Sequence, residues 1–353
     1  MKQKILLLSA YRSDSHAYWA DWLQQEIGGE HGVEWRVLEL PGRYFRWRIR
    51  GNPLSWLNEL TELLQHWQPN RILATSMVDV STIRGLFPAL AHLPLDYYFH
   101  ENQFAYPTGE GQHSSLDPQM VQLYGALAAD RIWFNSRFNQ QSFLTGVEQL
   151  MKKLPDQVPV GLAAQLQQKC GWLPVPVRAV PTSAVAKTQN LIVWNHRWEY
   201  DKNPHFFQQI LRQLKQQGIE FSLALLGHRA PKTPEVLKQI EDEFAGHILV
   251  NGRVSKADYQ YWLNQAQVVA STAKHEFQGL SMLEASSAGA IPVVPDDLCY
   301  QEQYPKQNRY PVDDLPQAVE TVIDALRGQL SVCDVSDWLA DQVKPRWIEV
   351  LNR

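Results

Sequence analysis

Cysteine is scarce. Cys170, Cys299 and Cys333 are the only three in 353 residues, and they lie far apart with no C-x-x-C spacing, so neither a disulfide framework nor a thiolate zinc site is encoded. A reducing cytoplasm is the expected compartment. An excess of positive charge is also missing: 33 Lys and Arg against 37 Asp and Glu leave a net charge of −4, so any polyanionic partner has to be met by a local patch. Long apolar runs are absent at the start of the chain, where the stretch Ile5 to Leu8 ends before Arg12 and Asp14. That stretch predicts a buried strand in place of a leader, and no membrane partner is expected. Apolar residues at 44% and charged residues at 20% exclude collagen, coiled coil and long disorder. No G-x-x-x-x-G-K-[ST] occurs, and the one G-x-G, Gly109 to Gly111, is followed by Ser114 where a third glycine belongs, which excludes a P-loop and a dinucleotide fingerprint. There is no D-x-D pair either. A carboxylate-held metal on a diphosphate is therefore not expected, and cations and helix ends have to do that work.

What is present is an alternation of short apolar runs with amphipathic stretches, the pattern of an α/β fold with parallel sheets. Strands are predicted at Lys4 to Ser9, Glu34 to Leu40, Arg71 to Thr75, Asp96 to Phe99 and Arg131 to Asn135, with helices between them. Five prolines between Gly146 and Gln189 interrupt the pattern. It restarts with strands at Leu191 to Trp194, Phe221 to Leu226, Ile248 to Val250, Val268 to Ser271 and Ile291 to Val294. Length and pattern together predict two Rossmann-like domains, 1–180 and 181–334, with a terminal helical segment, 335–353, packing back across them. In such sheets ligands sit beyond the carboxyl ends of the strands, so the loops of both halves are expected to face a central cleft.

Four strand-end segments and one basic run carry candidate chemistry. S-T-A-K-H-E-F-Q-G-L-S-M-L-E-A, Ser271 to Ala285, leaves a strand and enters a helix. Glu276 falls in its loop and Glu284 eight residues on in the helix; Gly279 permits close backbone approach, and the amides of Leu280 and Ser281 open the helix where an anion is favoured. W-N-H-R-W-E-Y-D-K-N-P, Trp194 to Pro204, places Arg197 and Lys202 around a turn, a guanidinium fork and a point charge suited to two phosphates. Y-Y-F-H-E-N-Q-F-A-Y-P, Tyr97 to Pro107, sets His100 and Asn102 after a strand, and F-N-S-R-F-N ends the next one with Asn135. Pro41 to Arg50 interleaves Arg43, Arg46, Arg48 and Arg50 with Tyr44, Phe45 and Trp47, which reads either as a surface loop or as a contact for single-stranded nucleic acid.

E-F-Q-G-L-S-M-L-E-A with R-x-x-x-x-K resembles the donor site of retaining GT-B glycosyltransferases. The segments F-H-E-N-Q-x-x-Y-P, F-N-S-x-F-N-x-x-S-F-L, W-N-H-R-W-E-Y-D-K-N-P and S-T-A-x-H-E-F-x-G-L resemble, more narrowly, the tRNA-queuosine α-mannosyltransferase family. The resemblance implies a two-domain GT-B fold, GDP-mannose as donor, no metal or other cofactor, and queuosine in tRNA as acceptor. It implies Glu276 on sugar hydroxyls, Glu284 on the ribose, Arg197 and Lys202 on the diphosphate, and His100 on the sugar or its β-phosphate. Gly279, Leu280 and Ser281 would complete the donor site, with Val254, in the loop Gly252 to Ser255, beside the base. His16, Arg46, Trp47, Arg48, Asn102 and Asn135 are the acceptor-side candidates. In the first loop, S-A-Y-R-S-D-S-H, Ser13 and Asp14 stand where the family carries glycines. Two alternatives remain open: an enzyme with a small acceptor or an epimerase activity, and a non-catalytic binding protein on the same scaffold.

Overall fold

The computed structural model of the chain describes residues 2–106, 115–181, 186–227, 229 and 234–352. The G-x-G at Gly109 lies outside them. Two compact units result, one of residues 1–176 with 343–353 and one of residues 177–342.

The first unit is built on β1 (Gln3–Arg12), β2 (Val33–Pro41), β3 (Arg71–Thr75), β4 (Leu95–Phe99), β5 (Arg131–Phe134) and β6 (Cys170–Trp172), in the parallel order β2-β1-β3-β4-β5-β6. Ile5 to Leu8 are fully buried because a parallel sheet is covered on both faces and its central strands run continuously apolar. The chain was expected to lack a central strand between 146 and 189. Among the described residues it has none, but it adds β6 as an edge strand after a helix, Arg137–Lys153, that ends just before Pro155.

The run Arg43 to Arg50, expected as a loop, is instead mostly helical: a helix spans Phe45–Ser55 with Pro53 inside it. A proline there cannot donate to the carbonyl four residues back, at Ile49. Asn52 supplies the missing donor, its Nδ2 lying 3.2 Å from Ile49 O and 2.7 Å from Arg48 O. The same amide reaches Met77 O at 3.1 Å, and Asn52 Oδ1 accepts from Asp79 N, which ties the helix to the loop after β3.

The second unit holds β7 (Leu191–Trp194), β8 (Ser222–Leu225), β9 (Ile248–Asn251), β10 (Val268–Ala270), β11 (Ile291–Pro295) and β12 (Arg309–Tyr310), all parallel, in the order β12-β11-β10-β7-β8-β9. That is the Rossmann order, and it places the topological switch point between β7 and β10.

The expected terminal helical segment, 335–353, is divided. Ser336–Trp338 forms a single 3-10 turn, and Val177 N donates to Trp338 O within the second unit. The helix proper is Ala340–Asn352, and from Val343 it belongs to the first unit. There the Trp347 ring packs at a tilt against Trp19 and Tyr98, centroids 5.6 and 5.2 Å away, and Arg71 donates to the closing carbonyls Val350 O and Leu351 O. A guanidinium at a helix C-terminus satisfies orphan acceptors and opposes the dipole. Among the described residues, no helix is long and apolar enough to cross a membrane.

Candidate active site

The loops that follow β7 and β10 leave neighbouring strands at the switch point. Two left-handed residues shape them. Asn203, at φ 50°, turns the chain from the 3-10 turn Tyr200–Lys202 into the helix that begins at Pro204. Gly279, at φ 66°, is the N-cap of the Leu280–Ser287 helix, and a Cβ there would lie 3.2 Å from Tyr300 Cε1 and 3.4 Å from Glu276 Cγ. Glycine is favoured at 279 by the positive φ, and the space for a side chain there is tight. Gly227, after β8, approaches His196 O so closely that any side chain is excluded.

Lys202 organises this end of the unit. Its ammonium is buried and bonds to Glu276 Oε2 at 3.0 Å, Asp201 Oδ2 at 3.2 Å and His275 O at 2.8 Å. Those three partners use all three donors of a lysine. Lys202 was expected to offer its donors directly to a diphosphate; in this structure they meet the carbonyl of His275 and two carboxylates that face one cation. Burial opposes the Lys202 charge, but Glu276 and Asp201 outweigh it and the pKa is raised. Burial likewise opposes ionisation of Glu276, yet Lys202 and the backbone amide of Gly279 bring the carboxyl down to about 2. His196 and His275 stand beside this pair, and burial, with the Lys202 charge, holds them neutral, at about 3 and about 4.

Arg197 is the accessible cation here, 53% exposed and 3.4 Å from Glu199 Oε1. The helix opening at Gly279, with the amides of Leu280 and Ser281, belongs to the same strand-end region. Glu284 is half-buried one turn into that helix, where burial raises its pKa and the Tyr259 hydroxyl, 2.9 Å from Oε2, works the other way. Val254 is half-buried in the loop between β9 and a helix, Lys256–Gln265, whose cap is Ser255. The structure thus places Arg197, Lys202, Glu276 and Gly279 on the β7 and β10 loops and Leu280, Ser281 and Glu284 on the helix that follows the β10 loop.

In the first unit His16 and His100 meet, ring centroids 4.0 Å apart, with Trp19 and Tyr98 each 4.8 Å from His100. Ser13 Oγ bonds His16 Nδ1 at 2.7 Å at the start of the helix Asp14–Glu26. Both Nε2 atoms are buried without a protein partner among the described residues. Burial lowers His16 to about 4 and keeps His100 well below the usual histidine range. Asn102 and Asn135, expected on the acceptor side, follow the ends of β4 and β5 and are hydrogen-bonded within the unit. Asn102 is buried, its Nδ2 donating to Asn139 Oδ1 and Ser142 Oγ and its Oδ1 accepting from Phe104 N and Ala105 N. Asn135 donates to His100 O at 2.8 Å and accepts from Asn139 Nδ2 at 2.8 Å. These amides hold the His100 loop. On the helix Phe45–Ser55, Arg46 is exposed, Arg48 reaches Ser55 Oγ at 3.5 Å, and Trp47 is 50% exposed, lying over Gly51 so closely that a Cβ there would overlap its ring.

Sequence reasoning missed Asp201, Asn195, His196, His275 and Tyr259. The first three stand inside the quoted strand-end segment Trp194 to Pro204, so position alone could have raised them; Tyr259 carried no signal.

Two Rossmann-type units, with a lysine-held glutamate beside a helix opening at the switch point of the second, define a glycosyltransferase of the GT-B class. The family description "Glycosyl transferases group 1" matches residues 180–310, and "tRNA-queuosine alpha-mannosyltransferase N-terminal" matches residues 4–177. A Drosophila melanogaster tRNA-queuosine alpha-mannosyltransferase is 31% identical over 322 residues, covering 88% of this chain and 84% of that protein. The chain belongs to the tRNA-queuosine α-mannosyltransferase family. Solved structures share its fold at low identity. Anabaena HepE in complex with UDP aligns with a TM-score of 0.68 at 13% identity over 100% of both chains. Sucrose-phosphate synthase from Thermosynechococcus elongatus gives 0.69 at 11% identity over 99% of this chain and 98% of its own. TarM gives 0.58 at 15% identity over 86% of this chain, which spans 58% of TarM.

Proposed function

We propose that the protein transfers an α-mannosyl group from GDP-mannose to queuosine in tRNA, with retention at the anomeric carbon and without a metal ion. The observation that carries the reading is the ionised Glu276, pinned by Lys202 beside the Gly279 helix opening. A carboxylate held in one orientation accepts hydrogen bonds from sugar hydroxyls and contributes more as positive charge grows on the loosening C1. The diphosphate is assigned to Arg197 and the opening amides of the helix. Lys202 acts on it as a fixed charge through space, because its own donors are committed. Glu284 takes the ribose, Val254 lines the base, and His100 takes the sugar or its β-phosphate. The acceptor hydroxyl attacks on the face that the diphosphate leaves, and the departing phosphate oxygen takes its proton, so no side-chain nucleophile is needed. The missing D-x-D supports metal independence. Calorimetric titration with GDP-mannose, GDP and UDP-glucose, with and without EDTA, tests the donor: GDP-mannose should bind most tightly and EDTA should change nothing. Binding that requires a divalent ion, or a preference for the uridine donor, would overturn it.

The acceptor is assigned to the first unit, with His16 near the reacting end and the helix Phe45–Ser55 against the RNA. Arg46 and Arg48 suit phosphates and Trp47 suits a stacked base. Replacing both arginines with alanine should weaken tRNA binding and flatten its log-log salt dependence by about two, leaving GDP affinity unchanged. An unaltered salt slope would remove this helix from the RNA contact.

A further inference from the structure

Tyr259 joins two parts of the donor site through a hydrogen-bond chain whose direction is set by its far end. Ser281 O is a backbone carbonyl and only accepts, so the Asn195 atom 2.8 Å from it must be the amide nitrogen. The second hydrogen of that nitrogen points to Tyr259 Oη, 3.1 Å away. With its lone pair engaged by Asn195, the tyrosine hydroxyl turns its proton to Glu284 Oε2 at 2.9 Å. Flipping Asn195 would set acceptor against acceptor at Ser281. The amide keeps this orientation although it leaves Asn195 Oδ1 buried without a partner among the described residues. Three elements are tied in this way: the end of β7, the helix Lys256–Gln265, and the helix Leu280–Ser287 that opens at Gly279.

We infer that Tyr259 is a positioning residue for nucleotide recognition, fixing Glu284 so that its free oxygen, Oε1, accepts from the ribose hydroxyls of a nucleoside diphosphate. This rests on the proposed assignment of Glu284 to the ribose. With Oε2 occupied by the phenol, rotation of the carboxylate is restrained, and Oε1 is the oxygen left to distinguish a ribose from a deoxyribose. Lys256, on the same helix as Tyr259, adds a favourable charge toward Glu284 without fixing its orientation.

The test is calorimetric titration of the full chain and of Tyr259→Phe with GDP and 2′-deoxy-GDP, and in parallel with UDP and 2′-deoxy-UDP, so that the base of the donor does not decide the outcome. The parent should bind the ribonucleotide about tenfold or more tightly than its deoxy form, the range for a hydrogen bond to a charged group. Tyr259→Phe keeps the ring and removes only the hydroxyl. It should shrink that ratio by about fivefold, with affinity for the deoxy form nearly unchanged. Glu284→Gln should collapse the ratio in the same way, and the double variant should add little, because both changes break one chain. A ratio that survives in Tyr259→Phe, or additive losses in the double variant, overturns the role of Tyr259 and leaves Glu284 on the ribose. A parent that does not discriminate with either base overturns the ribose assignment itself, and this inference with it.

Discussion

Lys202→Met is expected to cost about 3–5 kcal/mol of folding stability at pH 7, the usual penalty for removing one member of a buried ion pair. Asp201 and Glu276 would be left without their shared cation, and His275 O would lose the Lys202 donor. The pH dependence carries the distinctive sign. In the parent, the Glu276 carboxyl sits at about 2 against an ordinary 4.5, so its stabilising contribution is fully present above about pH 4.5 and is lost as the pH falls toward 2. In Lys202→Met, burial acts with little opposition and raises the carboxyl above 4.5. Its charge then opposes folding at neutral pH, and the penalty is relieved as the pH falls toward 4.5. His16, His196 and His275 are held neutral and cost stability in both proteins once the pH drops below about 6.5. The quantity to read is therefore the difference in denaturant midpoint between the two proteins at pH 7 and at pH 5. It should narrow at the lower pH. A difference that stays constant would mean that Lys202 does not hold Glu276 ionised.

Glu276→Ala should lower kcat on the order of a hundred- to a thousandfold, the range for loss of one preorganised electrostatic group. Affinity for free GDP should hold or tighten, because Lys202 gains a donor for phosphate once Glu276 Oε2 is gone. The measurement pairs steady-state transfer with GDP titration. Equal losses in kcat and in GDP affinity would move Glu276 from the sugar to the nucleotide.

Both sheets were legible in the alternation of apolar runs because parallel strands, buried on two faces, leave an unbroken apolar signature. β6 and β12 escaped it: Cys170–Trp172 and Arg309–Tyr310 are short edge strands with little periodicity to detect. The helix Phe45–Ser55 was hidden by Gly51-Asn52-Pro53, which reads as a turn unless the Asn52 side chain is known to satisfy the carbonyl that Pro53 abandons. At the site, strand-end position picked out Arg197, Lys202, Glu276 and Glu284 as candidates, and Lys202 and Glu276 are in contact. It could not show that Lys202 is saturated, since its partner Glu276 lies 74 residues away, or that Tyr259 reaches Glu284 across 25. Asn102 and Asn135 looked like ligand groups because loop amides often are. Their partners, among them Asn139 on the helix Arg137–Lys153, show that both also hold the His100 loop.

The most direct test of the central claim is incubation of the protein with GDP-mannose, EDTA and tRNA that carries queuosine, followed by nucleoside mass spectrometry and assignment of the anomeric configuration by NMR. The account predicts that queuosine disappears in favour of its α-mannosyl derivative, and that tRNA lacking queuosine is left unmodified. Turnover of GDP-mannose with the tRNA nucleosides unchanged, or a β-linked product, would contradict it.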